Sequence, residues 1–378
     1  MHRTCLFSIL VFSVGLRAQS PQISQQQLVH DAMQKQEAGD LAGAVTEYKQ
    51  FLKMHPEATP IHANLGVALA GLGRYEEAVS EYKVALKRSP SFSAARLNLG
   101  LAYYKMGRIS DAATELTRVH HEEPDNMQAM LLLGDCDLRM GKNKETITLL
   151  QPSAKARPDN LAVAYMLGTA LLRNKQRDEG AAVIDRILRN GDSAEAHLLM
   201  GMTKFEAMEY PAAIADLTKA TEINPSLPDV YSYLGQAQMA SGDMQAARAA
   251  FEKELTLNPN DFESNVRLAV LLKQDGNYDR AHQLLGRALL VRPKDPGAIY
   301  QVGATYLAAG DMNRACSVLE SVLKQYPDFL EAHVSLAQVY YRLRRKEEGD
   351  REREIVQKLK AEQDAQQSKT KGESQLRP

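Results

Sequence analysis

The densest group of side chains able to hold a metal or move a proton is His120, His121, Glu122 and Glu123, two imidazoles followed by two carboxylates. Imidazole nitrogen and carboxylate oxygen are ordinary zinc ligands, but the four stand at the end of a helical run closed by Pro124. The group therefore reads as a metal site or, alternatively, as a solvated helix terminus. Asp135 and Asp137 look like a paired acid and base, yet two residues apart on a helix they point to different sides. Asp135 and Arg139, four apart, suit a helical ion pair. The chain contains no GxxxxGK[ST], HExxH, GxSxG, paired CxxC or EF-hand loop. These readings together predict a chain that is not an enzyme and carries no cofactor or metal.

Composition narrows the partner classes. Forty-six Lys and Arg stand against forty-seven Asp and Glu, so no cationic excess is available to neutralise phosphates, and nucleic acid is not expected as a partner. The first residues carry His2 and Arg3, then an apolar run from Cys5 to Val14 that is too short to cross a bilayer as a stable helix. Residues 1–18 read as a secretory signal peptide cleaved after Ala18, with an uncleaved membrane anchor as the alternative. A secreted or periplasmic location follows from that reading. No N-x-[ST] sequon occurs, which agrees with a bacterial periplasm.

What must position any functional side chain is a repeated unit. In residues 59–92 an amphipathic run holds Leu65 and Gly66, Gly73 breaks it, a second run holds Ala78 and Tyr82, and Pro90 closes it. That is a helix, a turn and a helix. The pattern recurs at a step of 34, giving ten units from Gln25, Thr59, Ser93, Met127, Leu161, Ala194, Pro228, Phe262, Pro296 and Leu330. The eighth position is always Gly or Ala, from Ala32 through Gly66, Gly100 and Gly134 to Ala337, so two helices must approach closely there. The twentieth is equally small, as at Ala44, Ala78, Ala112 and Ala247, with Thr146 its largest member.

The unit resembles a tetratricopeptide repeat, with a small residue at 8, Gly near 15, Ala at 20, an aromatic at 24 and Pro at 32. The resemblance covers nearly all of the chain after residue 24 and implies an all-α, right-handed α-solenoid superhelix spanning residues 25–361. Residues 19–24 read as a linker, and 362–378 as a disordered polar tail without an apolar stripe. The fifth unit departs from the pattern, with Lys175 at the turn, Gly180 in place of Ala and no closing Pro, so a local irregularity is expected there. In the tenth, Arg353 replaces an apolar residue, as a solvating end unit needs. Cys136 and Cys316 fall five repeats apart, so they cannot meet within one stack and read as buried or partly buried free thiols or, alternatively, as partners in an intermolecular disulfide.

In this family the first helices of successive repeats line a concave groove, with positions 2, 5, 9, 12 and 13 facing inward. Carried over unit by unit, the resemblance implies a largely apolar, tyrosine-bearing groove built from Leu97, Leu101, Tyr104, Leu131, Leu138, Tyr165, Leu172, Leu198, Met202, Phe205, Tyr300 and Tyr341. The alternative is that part of this stripe is packing between neighbouring first helices. The family's carboxylate clamp for acidic C-termini is not matched. Asn64 and Asn98 fit its central Asn, but Ala63, Val67, Gln128 and Leu132 stand where the flanking amide and cations belong. The expected function is a non-catalytic scaffold or adaptor that holds a peptide or partner protein in envelope assembly, secretion or export. A structural spacer or self-associating homo-oligomeric rod is the alternative.

Overall fold

The computed structural model describes residues 20–189 and 191–374. The assigned leader, residues 1–18, lies outside them. The described residues form twenty helices and no strand, two helices to each repeat. The first repeats are α1 (Ser20–Glu37) with α2 (Leu41–Met54), α3 (Thr59–Gly71) with α4 (Tyr75–Arg88), and α5 (Ser93–Lys105) with α6 (Ile109–Glu122). They continue as α7 (Met127–Arg139) with α8 (Asn143–Ala156), α9 (Leu161–Arg173) with α10 (Arg177–Leu188), and α11 (Ala194–Glu206) with α12 (Tyr210–Ile223). The remainder are α13 (Val230–Ala240) with α14 (Met244–Leu257), α15 (Phe262–Gln274) with α16 (Tyr278–Val291), α17 (Pro296–Ala308) with α18 (Met312–Gln325), and α19 (Leu330–Arg342) with α20 (Lys346–Ser374). Compact packing divides the chain into two units at Val183 and Ile184, inside the second helix of the irregular fifth repeat.

Within a repeat the two helices meet where the sequence is smallest. A Cβ placed on Gly66 would lie 2.5 Å from the Tyr82 ring, and one on Gly235 would lie 2.6 Å from Phe251, so the ring of the second helix rests on bare backbone. Those rings and the small residues around them are the core: Tyr48, Tyr82, Leu116, Leu150, Leu217 and Phe251 are almost wholly buried, as are Ala78, Ala112 and Ala247. Each helix pair also packs on the next, so the core continues along each unit as a stack. In both units the first helices of adjacent repeats also touch each other, which makes their layer the tighter, concave side.

Capping and turn geometry fix the helix ends. Asn126 accepts a hydrogen bond from the Ala129 amide at 3.0 Å, and Asn160 one from Val163 at 3.1 Å, each satisfying an orphan N–H of a first helix. At the turn between the two helices the chain takes a left-handed residue, as at Gly107 with φ 74°. The Arg108 amide then reaches back to the Tyr103 carbonyl at 2.9 Å, a Schellman closure. The fifth repeat keeps this turn: Lys175 takes φ 61° although it has a Cβ, and Met208 and Arg344 do the same at φ 63° and 61°.

Both ends differ from expectation. Most of the expected linker lies within α1, which begins at Ser20, and the expected disordered tail continues α20 to Ser374. Segments rich in Gln, Glu, Lys and Ala have high helix propensity, so a helix already nucleated by packing propagates through them without an apolar stripe.

Candidate inner-face interaction site

A recurrent polar staple holds the first helices in register and so fixes what they present. At the fourth position of a repeat, Arg96 donates to Glu115 of the same repeat at 2.8 Å and to the carbonyl of Pro90, which closes the preceding repeat, at 2.5 Å. His62 spans Glu81 at 2.6 Å and the Pro56 carbonyl at 3.0 Å, and His333 spans Glu352 at 2.5 Å and the Pro327 carbonyl at 2.7 Å. His197 bridges Asp216 at 3.1 Å and Asp192 at 2.8 Å. In each case a side chain with two nitrogen positions ties the first helix to the second helix and to the loop before it.

With the helices so placed, the groove residues separate into two sets. Leu101 and Leu138 in the first unit are 7% and 6% exposed, Leu172 is 5%, and in the second unit Met202 is 2% and Leu198 0%. These five are packing contacts and not groove surface. Adjacent first helices lie so close that their flanks are covered, whereas the periodicity of a sequence cannot distinguish a flank from an open face. Leu97, Tyr104, Leu131 and Tyr165 in the first unit are half-buried, as are Phe205 and Tyr300 in the second. Tyr341 is exposed, and its hydroxyl donates to Asp350 at 2.7 Å. Tyr300 meets Phe329 edge to face at 5.3 Å, with its hydroxyl 3.2 Å from that of Ser335.

The first unit gathers the more varied chemistry. Tyr104 donates to Asp135 at 2.5 Å, Arg139 donates to the same carboxylate oxygen at 2.7 Å, and the Arg139 guanidinium lies 5.3 Å from the Tyr104 ring centre. The expected Asp135 to Arg139 ion pair is therefore part of a bridge from α7 to α5. Burial, reinforced by the Asp135 carboxylate, raises the Tyr104 phenol well above its ordinary value, so it remains a donor. One repeat earlier, Asn98, Leu101 and Lys105 of α5 face Ala70 and Gly71 of α3 around a hollow of about 220 Å³. The final residues of three successive first helices are Lys105, Arg139 and Arg173, a row of cations of which Arg139 lies against the Tyr104 ring and is paired with Asp135. That row follows directly from the 34-residue frame, but a search for apolar residues alone passes over it.

The remaining chemical candidates lie apart from this face. His120 and His121 lie in the last turn of α6, with His121 exposed, and among the described residues no group of three or more His, Cys, Asp or Glu is placed to hold a metal ion. Cys136 and Cys316 are buried free thiols. Burial pushes both up, Cys316 to about 11 with help from its bond to Glu320. No described helix is long and apolar enough to cross a membrane.

Comparison with known proteins agrees with this architecture. The chain is 29% identical over 135 residues to Superkiller protein 3 of Schizosaccharomyces pombe, covering 34% of this chain and 10% of that one. It is 28% identical over 129 residues to Protein CTR9 homolog of Arabidopsis thaliana, covering 34% and 12%. The chain thus spans only about a tenth of the length of these two curated relatives. A tetratricopeptide repeat protein from Parabacteroides merdae superposes with a TM-score of 0.56 at 16% identity, over 65% of this chain and 98% of that one. The Cut9-Hcn1 hetero-tetramer of the APC/C provides a second solved likeness, with a TM-score of 0.53 at 11% identity over 89% and 86%. A tetratricopeptide repeat model matches residues 69–132, 137–202 and 238–302, and three related repeat models match 32–91, 201–242 and 298–328. With more than half of its length matched by one such model and its helix pairs stacked in the same 34-residue frame, the chain belongs to the tetratricopeptide repeat family.

Proposed function

We propose that the chain is a non-catalytic scaffold that binds an extended segment of a partner protein along the inner face of its first unit. Exposed Lys105 together with half-buried Tyr104 and Tyr165 on the first helices carries this reading. A cation suits the carbonyls and carboxylates of a peptide, and aromatic rings suit its side chains, which is the usual division of labour at a hot spot. One solved likeness, the Cut9-Hcn1 hetero-tetramer, is itself an assembly of two kinds of chain. We place the protein outside the cytoplasm, in the envelope, because residues 1–18 read as a cleaved leader.

Peptides selected by display on the immobilised chain test the groove. Lys105→Glu combined with Tyr165→Ala is expected to weaken the selected peptides about tenfold or more, with helical circular dichroism retained. Binding that survives the pair, or helicity that collapses with it, overturns the reading. Intact mass of the protein from its native host decides the export claim: loss of residues 1–18 supports it, and a full-length chain in the membrane fraction overturns it.

A further inference from the structure

On the opposite side from the inner face, α6, α7 and α8 line an open cavity of about 840 Å³ whose walls include Met127, Met130, Leu149 and Pro152. Two positions in repeat four differ from repeats three and ten. The staple is missing, because Met130 stands where repeats two, three, six and ten have His or Arg and Leu149 where those repeats have Glu or Asp. The eleventh position is Asp137, whereas repeats three, nine and ten have Tyr103, Tyr306 and Tyr340. Those tyrosine rings are capped by a basic side chain: Arg108 lies 4.5 Å from the Tyr103 ring centre, Arg314 5.5 Å from Tyr306 and Arg345 4.4 Å from Tyr340. In repeat four the place of that ring is left to a much shorter acid.

Asp137 is only 8% exposed and lines the cavity, yet its carboxylate accepts no hydrogen bond from a described residue. The nearest cation, Lys142, stands 3.9 Å away and is half exposed. A buried carboxylate without donors is costly, and burial raises its protonation point accordingly. On another wall of the cavity, Nδ1 of His120 is also covered and without a partner. The apolar walls and the one deep acid call for a ligand with an aliphatic body and a positive end.

We propose that this cavity receives a lysine or arginine side chain of a partner polypeptide, its cationic end bonded to Asp137 and its aliphatic stem laid on Met130, Leu133 and Leu149. The site is separate from the inner face, so the chain can hold one partner on each side, or two segments of one partner.

The full chain, labelled with carbon-13 at its methionine methyls, supplies the test. The probes are four capped tripeptides, N-acetyl-Leu-X-Leu-amide, with X as Lys, Arg, Gln or Glu. The Lys and Arg peptides are expected to shift the Met127 and Met130 signals and to bind at least about fivefold more tightly than the Gln peptide, with the Glu peptide weakest. Asp137→Asn is expected to bring Lys and Arg to the Gln level. Asp137→Tyr, which installs the residue of repeats three, nine and ten, is expected to remove the shifts for all four peptides while helical circular dichroism is retained. Equal affinities in the native chain, unmoved Met127 and Met130 signals, or a Lys and Arg preference that survives Asp137→Asn would each overturn the assignment. Lys105→Glu on the inner face leaves these shifts unchanged if the two sites are distinct.

Discussion

At Asp137 a carboxylate sits where solvent reaches only 8% of the residue. Burial, opposed in part by Lys142 and reinforced by Glu145, pushes its carboxyl up to about 6. The unfolded chain releases this proton near the ordinary value of 3.8, so between about pH 4 and 6 the native state holds a proton that the unfolded state has lost. Stability from this group therefore falls as pH rises through that window, and above it the native state bears the full cost of a buried charge, on the order of 2 to 3 kcal/mol. Asp137→Asn should raise the melting temperature at pH 7 and flatten the decline between pH 4 and 6. Thermal melts across pH check both, and a variant that melts lower at pH 7 with the decline intact would show that the carboxylate is not penalised. The same residue is the one the cavity proposal requires, so its cost in stability accompanies a use in binding.

Element ends are held by two devices that the repeats use in different chemical forms. In the staple, Arg96 does with a permanent charge what His333 does with an imidazole, and both reach a carboxylate and a closing proline carbonyl. His333→Arg is thus expected to change stability by less than about 1 kcal/mol, whereas His333→Leu leaves Glu352 and the Pro327 carbonyl without their imidazole partner and costs about 2 kcal/mol or more. Urea melts of the two variants distinguish them, and equal losses would contradict the staple. At the turn, Met208 is held at φ 63° and is 74% exposed, so its side chain contributes little packing while its Cβ resists the left-handed backbone. Met208→Gly should stabilise by about 0.5 to 1 kcal/mol, read as a higher urea midpoint with an unchanged slope.

For the whole molecule, packing is between sequence neighbours, and contacts between distant repeats are not what holds either unit together. A lesion should therefore spread locally. A Cβ at Gly100 would already lie 3.0 Å from Leu116, so Gly100→Leu forces α5 and α6 apart and is expected to cost about 1 to 3 kcal/mol or more. Hydrogen exchange should show protection lost first in α5, α6 and their neighbours and retained in α15 to α18. Uniform loss along the chain would mean that the repeats do not melt as neighbour-coupled units.

The sequence by itself determined the repeat frame, because the close approach of two helices admits only Gly or Ala and leaves a mark every 34 residues, from Gly66 and Ala78 onward. It also determined the turns, since a left-handed residue is most cheaply a glycine, as at Gly73 and Gly107. Even the exceptions, Lys175 and Met208, could be located by counting, although only the backbone showed that the turn persists there at positive φ. Burial along the first helices was decided by the tertiary structure. Leu138 and Tyr165 carry the same apolar signal in one dimension, yet the approach of the adjacent first helix covers the former and leaves the latter half open. The cavity beneath Asp137 belongs to the same class. An acid at an apolar-looking position is visible in the sequence, but the space around it is lined by residues that lie apart in the chain and meet only when α6, α7 and α8 pack.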